Sequence, residues 1–500
     1  MQDSVNAAAS SYPPTWYSAT MVPAAVRAPL SYDLDVDVCV IGGGLAGLTA
    51  ARELARRGRS VALIEARRIA WGASGANDGF VLPGFAESMQ DVIDRVGFDH
   101  ARELWSLAEM GFEYVRTAVA EARIEDLDPT PGWLKPSKVD KGDELIDTLA
   151  LYEKLGCEAE GWPTERVRAV LKTDHYFHAL HLPQAFHIHP LNYALGLAAA
   201  AEASGARIFE DTTALAIDTE GVRKRVATGA GRVRAAHIVL ACSAHLGALL
   251  PRIAGTLVPA WTTVITTAPL GARLADAIAY RGAVSDGDLA NYHYRIVPGS
   301  LSGAGNGDRL LWSGSASTWP VDAQRIAPSL QAAIAETYPQ LGKVQIEHAW
   351  SALLGIALHH MPQIGELAPG LWLASAFGGH GINTTAMAGT IIARAIAEAD
   401  DTWRLFSPFE LVWAGGRLGR AAMQVYYWWI DARDRFKAKE ARTREQYHRR
   451  ASQLAGLRAA EAPAHGEAEL GAVVPREQLP QEPAAAELPR DPVGTEVRER

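Results

Sequence analysis

The chain has 500 residues, of which 48% are hydrophobic and 21% charged, and carries a net charge of −9. That length exceeds what one hydrophobic core usually supports, so two or more domains are expected, with the composition of a soluble globular protein. The acidic balance argues against nucleic acid as the main partner, no run nears the ~20 apolar residues of a membrane span, and three cysteines are too few for a disulfide framework.

Residues 1–32 read as an irregular arm. They lack a basic start followed by an apolar stretch, so no secretory signal is expected and a cytoplasmic location follows by default. Then comes Val36-Asp37-Val38-Cys39-Val40-Ile41-Gly42-Gly43-Gly44-Leu45-Ala46-Gly47, a helical stretch, a second apolar run Ser60-Val61-Ala62-Leu63-Ile64, and Glu65. Strand, glycine turn, helix, strand and acid in this order form the fingerprint of a dinucleotide-binding unit. Gly42 allows the sharp turn, Gly44 lets the backbone approach a pyrophosphate, and Gly47 lets helix and strand pack closely. The helix N-terminus offers N–H groups and a positive dipole end to phosphates. Glu65 stands where a carboxylate accepts from a ribose hydroxyl and repels a 2′-phosphate, which points to FAD or NAD rather than NADP. Cys39 and Cys242 lie in apolar runs and read as small buried hydrophobes.

The segment after Glu65 separates FAD from NAD. Ala66-Arg67, then Trp71-Gly72-Ala73-Ser74-Gly75-Ala76-Asn77-Asp78-Gly79, is a small-residue loop where an NAD domain would usually enter another helix. It offers N–H and hydroxyl groups to a second phosphate and a flavin edge.

Residues from about 90 to 180 turn helical with charged faces, broken at Pro131-Gly132-Trp133. Leu191 to Ala203 reads as a helix and Ala206 to Glu210 as a strand. Arg223 to Thr228 and Arg232 to Arg234 read as a β-meander, and Ala236 to Cys242 as a buried parallel strand continuing the first sheet. Pro259–Thr267, Tyr292–Pro298 and Arg309–Gly314 alternate like strands of a second sheet. Leu371 to Ala376 returns to the first sheet, the turn Gly378-Gly379-His380-Gly381 follows, and Thr384 to Ala399 is helical. Residues 415–460 look helical, with the run Tyr426-Tyr427-Trp428-Trp429-Ile430 read as a surface packed on the body or on a partner subunit. Residues 451–500, rich in Ala, Glu and Pro, read as disordered.

Several of these stretches resemble one family. The pattern from Glu65-Ala66 through Trp71-Gly72-Ala73-Ser74-Gly75, Asn77 and Gly79 is similar to that of FAD-dependent oxidoreductases of the D-amino-acid-oxidase type, nearest to a γ-glutamylputrescine oxidase-like branch. The Ser-Tyr lead from Ser11 to Ala19, His189-Pro190 through Leu197, Trp350 to Leu353 with Met361 to Gly365, and Ala376 to Ile382 extend the resemblance over about residues 10–430. It implies an α/β fold, α+β overall: a Rossmann-like FAD-binding domain with an inserted mixed-sheet substrate domain. We expect the FAD domain from 33–90, 185–255 and 355–400, the substrate domain from 91–184 and 256–354, and a helical region at 401–450. The resemblance also implies oxidation of a C–N bond in an amine or amino acid. Hydride passes to flavin N5, an imine forms, and oxygen reoxidises the flavin to give peroxide. Polyamine derivatives, N-methyl amino acids and D-amino acids all fit.

The expected FAD contacts are Gly42, Gly44, Gly47, Glu65, Ala66, Arg67, Gly72, Ala73, Ser74, Asn77, Gly79, Ala241, Gly378, Gly379, His380, Gly381 and Ile382. Attachment is expected to be non-covalent: Leu353 to Met361 holds no Cys, and Glu65 to Phe85 no His. No metal is expected. His380 stabilises reduced flavin or packs with its ring on backbone. Tyr294 lies on a substrate-sheet strand, and Arg309 anchors a substrate carboxylate or makes a cross-strand ion pair. Trp350 lines the substrate cavity or the core beside it, His189 serves a structural turn or a ligand, and at most one of His359 and His360 faces the site. Asp78 departs from the expected Asn-Gly-Gly; a carboxylate there disfavours anionic flavin unless it points to solvent or pairs with a cation, and it could also attract a cationic amine. Two other readings stand beside the oxidase: a quinone-linked D-amino-acid dehydrogenase at the membrane surface, and a flavin-bound, non-catalytic interaction protein. Self-association is expected, if anywhere, through the C-terminal aromatic helix.

Overall fold

The computed structural model describes residues 12–121, 124, 126–287, 292–299 and 307–461, with side chains to Leu454. The chain divides into a main unit ending at Arg444 and a second unit starting at Glu445. In the second unit the described residues are helical, and Arg449 donates to Glu445 one turn earlier at 2.8 Å. The rest of this section concerns the main unit.

Its first sheet runs, edge to edge, Gln363–Ala368, Leu371–Ser375, Arg232–Leu240, Leu34–Ile41, Val61–Ile64 and Arg207–Phe209. The four central pairings are parallel, with Ile41 opposite both Ile64 and Leu240. Val61–Ile64 and Leu371–Ser375 are buried at every residue. Continuous apolar strands of this kind belong to a parallel sheet covered on both faces. One covering layer is helical: Leu45–Arg56 packs on both Pro190–Ala203 and Gly381–Glu398.

The second sheet runs Ile346–Ile356, Val258–Thr267, Arg309–Ser317, His293–Val297, Ala283–Ser285, Thr130–Pro136, Ala179–His187 and Phe80–Val81. The helix Ala323–Thr337 covers one face, where Tyr294, Trp312, Leu330, Ile334 and Tyr338 form a separate apolar cluster. The other face gives Trp133, Ser285, His293 and Ala352 to a cavity. Two sheets with helices beside them make a mixed α/β molecule.

Several expectations need correction. Pro131 to Trp133 does not break a helix; it lies in the strand Thr130–Pro136, with a bulge between Pro131 and Trp133 that absorbs the missing proline N–H. The expected meander piece Arg232–Arg234 and the expected parallel strand are one strand, Arg232–Leu240, antiparallel to Lys224–Ala227 on one side and parallel to Leu34–Ile41 on the other. Phe80–Val81 and Ala179–His187 belong to the second sheet, so the boundaries at 90 and 185 fall at the wrong places. The arm contains a short helix, Trp16–Ala19, closed by a Thr15–Ser18 capping box and anchored by buried Trp16 and Tyr17. Residues 451–461 continue the helix Gly416–Glu461 instead of opening a disordered tail; the remainder of that expected tail, 462–500, lies outside the described residues. No helix among the described residues is long and apolar enough to cross a membrane.

Candidate active site

The first turn is built by close backbone approach. Gly42 has φ +112°, and a Cβ there would meet the Ala241 carbonyl oxygen at 2.6 Å. A Cβ on Gly47 would lie 2.0 Å from the Gly42 carbonyl oxygen. Gly44 caps the helix Leu45–Arg56 without a side chain, and a Cβ on it would sit 2.9 Å from Ser74 Oγ. Ser74 Oγ accepts from the Leu45 N–H at 3.1 Å, which ties the loop to the helix start. Glu65 accepts from the N–H groups of Gly43 at 2.6 Å and Arg67 at 2.9 Å. Burial pushes its carboxyl above the ordinary range, and those two N–H groups pull it back. Gly43 was missed by sequence reasoning. Its place beside Glu65 Cβ and Ile69 Cδ1 leaves no room for a side chain, and the third glycine of the run was the available signal.

The loop after Glu65 folds back on this turn: Ala70 N–H donates to the Gly43 carbonyl at 2.9 Å. Arg67 lies over the Trp71 ring at 4.0 Å. Asn77 Nδ2 donates to the carbonyls of Ala73 and Ser74, while its Oδ1 accepts from Gly79 N–H at 2.8 Å. Ala66, Arg67, Gly72, Ala73, Ser74, Asn77 and Ala241 line one cavity together with Gly42, Gly44 and Glu65. Gly79 does not line it. With φ +81° it presses on the second sheet, where a Cβ would meet the Ile188 carbonyl oxygen at 2.1 Å. Gly47 likewise acts through packing. Cys242 is only half-buried and lines the cavity, against the expectation of full burial.

Gly378, Gly379, His380, Gly381 and Ile382 close the cavity from the other side. Gly378 takes φ +57°, and the helix Gly381–Glu398 begins there. His380 Nε2 lies 3.0 Å from the Pro83 carbonyl, so the ring packs by donating to backbone, and burial pulls its pKa down to about 4. A neutral ring fixed in this way is not a proton donor held in reserve. The cavity encloses about 1920 Å³, well above the roughly 300–1,000 Å³ of an ordinary small-molecule pocket. It has room for a dinucleotide and a substrate together. Two helix N-termini open on it, those of Leu45–Arg56 and Gly381–Glu398, and each favours negative charge. The glycine cradle, the acid at the second strand's end and these two helix ends fit FAD. Gly42, Gly44, Glu65 and Ser74 would hold its nucleotide half, and Gly378 to Ile382 its ring.

The structure does not bring Tyr294 or Arg309 to this cavity. Tyr294 points to the opposite face, stacked on Trp312 at 4.3 Å with its hydroxyl 2.8 Å from that of Tyr338. Arg309 is buried, donates to the Thr267 carbonyl at 2.9 Å and pairs with Glu347 across the sheet. It is the cross-strand ion pair, and the carboxylate anchor is corrected. Trp350 belongs to the core, its Nε1 donating to the Ala76 carbonyl at 2.9 Å. His189 caps the helix Pro190–Ala203, its Nδ1 accepting from Asn192 N–H at 3.1 Å. Of His359 and His360, His360 lines the cavity. Sequence reasoning missed His293, Ser285 and Trp133, which do line it. Alternation puts His293 and Tyr294 on opposite faces of one strand, but it does not tell which of the two faces the cavity.

These features agree with the relatives. Residues 37–395 match the model of the FAD-dependent oxidoreductase (DAO) family. The chain is 29% identical over 421 residues to a probable oxidoreductase OrdL of Haemophilus influenzae, covering 81% of this chain and 94% of that one. It is 31% identical over 388 residues to γ-glutamylputrescine oxidoreductase of Escherichia coli, covering 76% and 88%. The fold superposes on glycine oxidase from Bacillus cereus with a TM-score of 0.60 at 22% identity, covering 74% and 98%. The chain belongs to the family of FAD-dependent oxidoreductases and is an enzyme whose cofactor is FAD.

Proposed function

We propose that this enzyme oxidises a C–N bond of an amine or amino acid, with oxygen as the acceptor, giving an imine and hydrogen peroxide. One observation carries the reading: a single cavity joins the glycine cradle to the inner face of the second sheet, at Trp133, Ser285 and His293. Similarity to γ-glutamylputrescine oxidoreductase and the glycine oxidase fold supports the substrate class. γ-Glutamylputrescine-like amines, N-methyl amino acids and D-amino acids are the candidates. Bound FAD supplies the two-electron chemistry. The chain orients the substrate's C–H bond, excludes water behind the Gly378–Ile382 turn, and favours negative charge there through the helix end. The substrate loses a hydride and a proton, and oxygen takes both electrons and two protons. We place the activity in the cytoplasm, with non-covalent FAD.

The test is anaerobic mixing of the yellow enzyme with a panel of amines and amino acids, followed by oxygen. Bleaching by one class, then recovery with stoichiometric peroxide, is expected. A yellow protein that no amine bleaches overturns the reading.

A second acceptor is favoured by one surface. On the helix Gly416–Glu461, Trp428, Trp429 and Phe436 are 65%, 56% and 71% exposed, with exposed Arg433 and Lys437 alongside, while Tyr427 and Ile430 are buried. Exposed aromatics beside basic residues suit a lipid interface and a quinone acceptor. The same face is where self-association would occur. Fast reoxidation by a soluble quinone with slow reoxidation by oxygen, and recovery of the enzyme with anionic liposomes, would select the dehydrogenase. Light scattering reports self-association.

A further inference from the structure

Asp78 stands where the family resemblance leads one to expect glycine, and its side chain faces the cavity. Its Oδ1 is buried and has no hydrogen-bond partner among the described residues. A buried acceptor without a donor costs stability on the order of 1–3 kcal/mol, so a ligand that brings a donor is favoured there. Burial pushes the Asp78 carboxyl above the ordinary carboxylate range, while His293, Ser313 and Arg295 pull it back. Tyr17 also faces it and stays neutral, because burial raises its phenol to about 12.

Most of the neighbours' donors are committed elsewhere, but the buried Arg295 Nε–H, like Asp78 Oδ1, has no partner among the described residues. Arg295 is buried; its Nη1 donates to His187 Nδ1 at 2.6 Å, and its Nη2 donates to Tyr17 Oη at 3.1 Å and to the Ile188 carbonyl at 3.0 Å. His293 is oriented by a chain of hydrogen bonds. Trp133 Nε1 donates to Ser285 Oγ at 2.9 Å, and the Ser285 hydroxyl lies 2.8 Å from His293 Nδ1. Indole N–H only donates, so Ser285 Oγ accepts from Trp133 and its second bond, to Nδ1, fixes the orientation of the His293 ring. The result is a carboxylate oxygen without a donor, in a flavin cavity, facing Arg295 and His293.

Resting on the amine reading above, we propose that Asp78 is the receptor for the substrate's protonated nitrogen and the base that takes its proton before the C–H bond is oxidised. The step balances simply. An N–H bond of R₂CH–NH₃⁺ breaks and its proton forms the O–H bond of Asp78, leaving R₂CH–NH₂ with a lone pair. That lone pair is what permits the loss of hydride, and the product is R₂C=NH₂⁺. His293 acts through Asp78 and is a positioning residue. The substrate class follows: an amine that enters as a cation.

The test uses the oxidised, FAD-loaded enzyme and tert-butylammonium, which has no hydrogen on the carbon bearing nitrogen and therefore binds without turnover. Pivalate has the same shape with the opposite charge. By calorimetry at pH 7.5, wild type is expected to bind tert-butylammonium at least tenfold tighter than pivalate. Asp78→Asn is expected to lose that preference and Asp78→Glu to keep part of it. With an oxidisable amine, Asp78→Asn is expected to slow bleaching about 100-fold at pH 7.5 and to recover as pH rises toward 10, where a far larger share of an amine of ordinary pKa ~10.4 is neutral. Wild type that prefers pivalate overturns the proposal, and this arm needs no variant to fold. Undiminished binding in Asp78→Asn, or no recovery at high pH, also overturns it. Bleaching by amines together with a preference for pivalate sinks this inference and leaves the oxidation standing; cation binding through Asp78 without bleaching by any amine sinks the oxidation, and with it the base, and leaves Asp78 as a cation receptor alone.

Discussion

Gly47 and Gly42 meet backbone to backbone: a Cβ on Gly47 would lie 2.0 Å from the Gly42 carbonyl oxygen. The first turn of the helix and the glycine turn therefore fix each other's position, and with it the cradle beneath the cofactor. Gly47→Ala is expected to destabilise the holoenzyme by on the order of 2–3 kcal/mol, because backbone must move to admit one methyl group. Thermal unfolding and the ratio of flavin to protein absorbance after desalting measure it. Unchanged melting with full flavin content would show that the turn relaxes freely.

Glu65 holds the cradle from the other side through the N–H groups of Gly43 and Arg67. Charge-assisted bonds of this kind are worth about 1.5–3 kcal/mol each. Glu65→Ala is expected to weaken FAD binding at least tenfold, read by flavin fluorescence quenching as apoenzyme is titrated. Glu65→Gln keeps one acceptor oxygen and is expected to fall between the two. Equal affinities in all three proteins would remove Glu65 from the cofactor site.

The cradle was legible because its chemistry is local. Gly42, Gly44, Gly47 and Glu65 act within one strand–helix–strand unit, and spacing along the chain sets spacing in space. The substrate face was not. Tyr294 and His293 are neighbours on one strand, and neither sheet face meets open solvent, one lying under the helix Ala323–Thr337 with Tyr338 and the other lining the cavity. Polarity alternation marks which face is wet only when one face meets solvent, so the phase of this strand was undetermined. Arg309 misled for a related reason: its partner Glu347 lies on a strand two places away in the sheet, a pairing that sequence distance conceals. The bulge at Pro131–Trp133 read as a helix break because proline and glycine mark both.

The corrected faces yield their own prediction. Arg309→Met and Tyr294→Phe are expected to leave KM for the best amine within twofold of wild type. Tyr294→Phe removes the hydroxyl contacts with Tyr338 and Tyr176 and is expected to cost about 1 kcal/mol of stability. Arg309→Met leaves the Thr267 carbonyl without its guanidinium donor and is expected to cost more, about 2 kcal/mol. Steady-state kinetics beside urea unfolding separate the two effects. A tenfold rise in KM for Arg309→Met with unchanged stability would restore it as a substrate anchor.

Acid should unfold this protein through its buried imidazoles, and His189 isolates the effect. Burial pulls its pKa from the ordinary 6.5 to about 3, with Arg295 adding to the depression. Its Nδ1 accepts from Asn192 N–H and its Nε2 lies 3.1 Å from Thr20 Oγ1, so the folded state holds it neutral. Below pH 6.5 the unfolded chain binds a proton here that the folded chain refuses. The contribution is thus complete above pH 6.5 and is lost as pH falls toward 3, at about 1.4 kcal/mol per unit. His189→Asn retains a side-chain oxygen to cap the helix Pro190–Ala203 but has nothing to titrate. The variant is expected to be less stable than wild type at pH 7, because the ring contacts with Trp16 and Tyr17 are gone. Between pH 6.5 and 5 its stability is expected to fall by about 2 kcal/mol less than that of wild type. Urea unfolding of both proteins at the two pH values decides it. Equal losses would mean that His189 takes up its proton in the folded state, and that Thr20 or the helix start gives way to admit it.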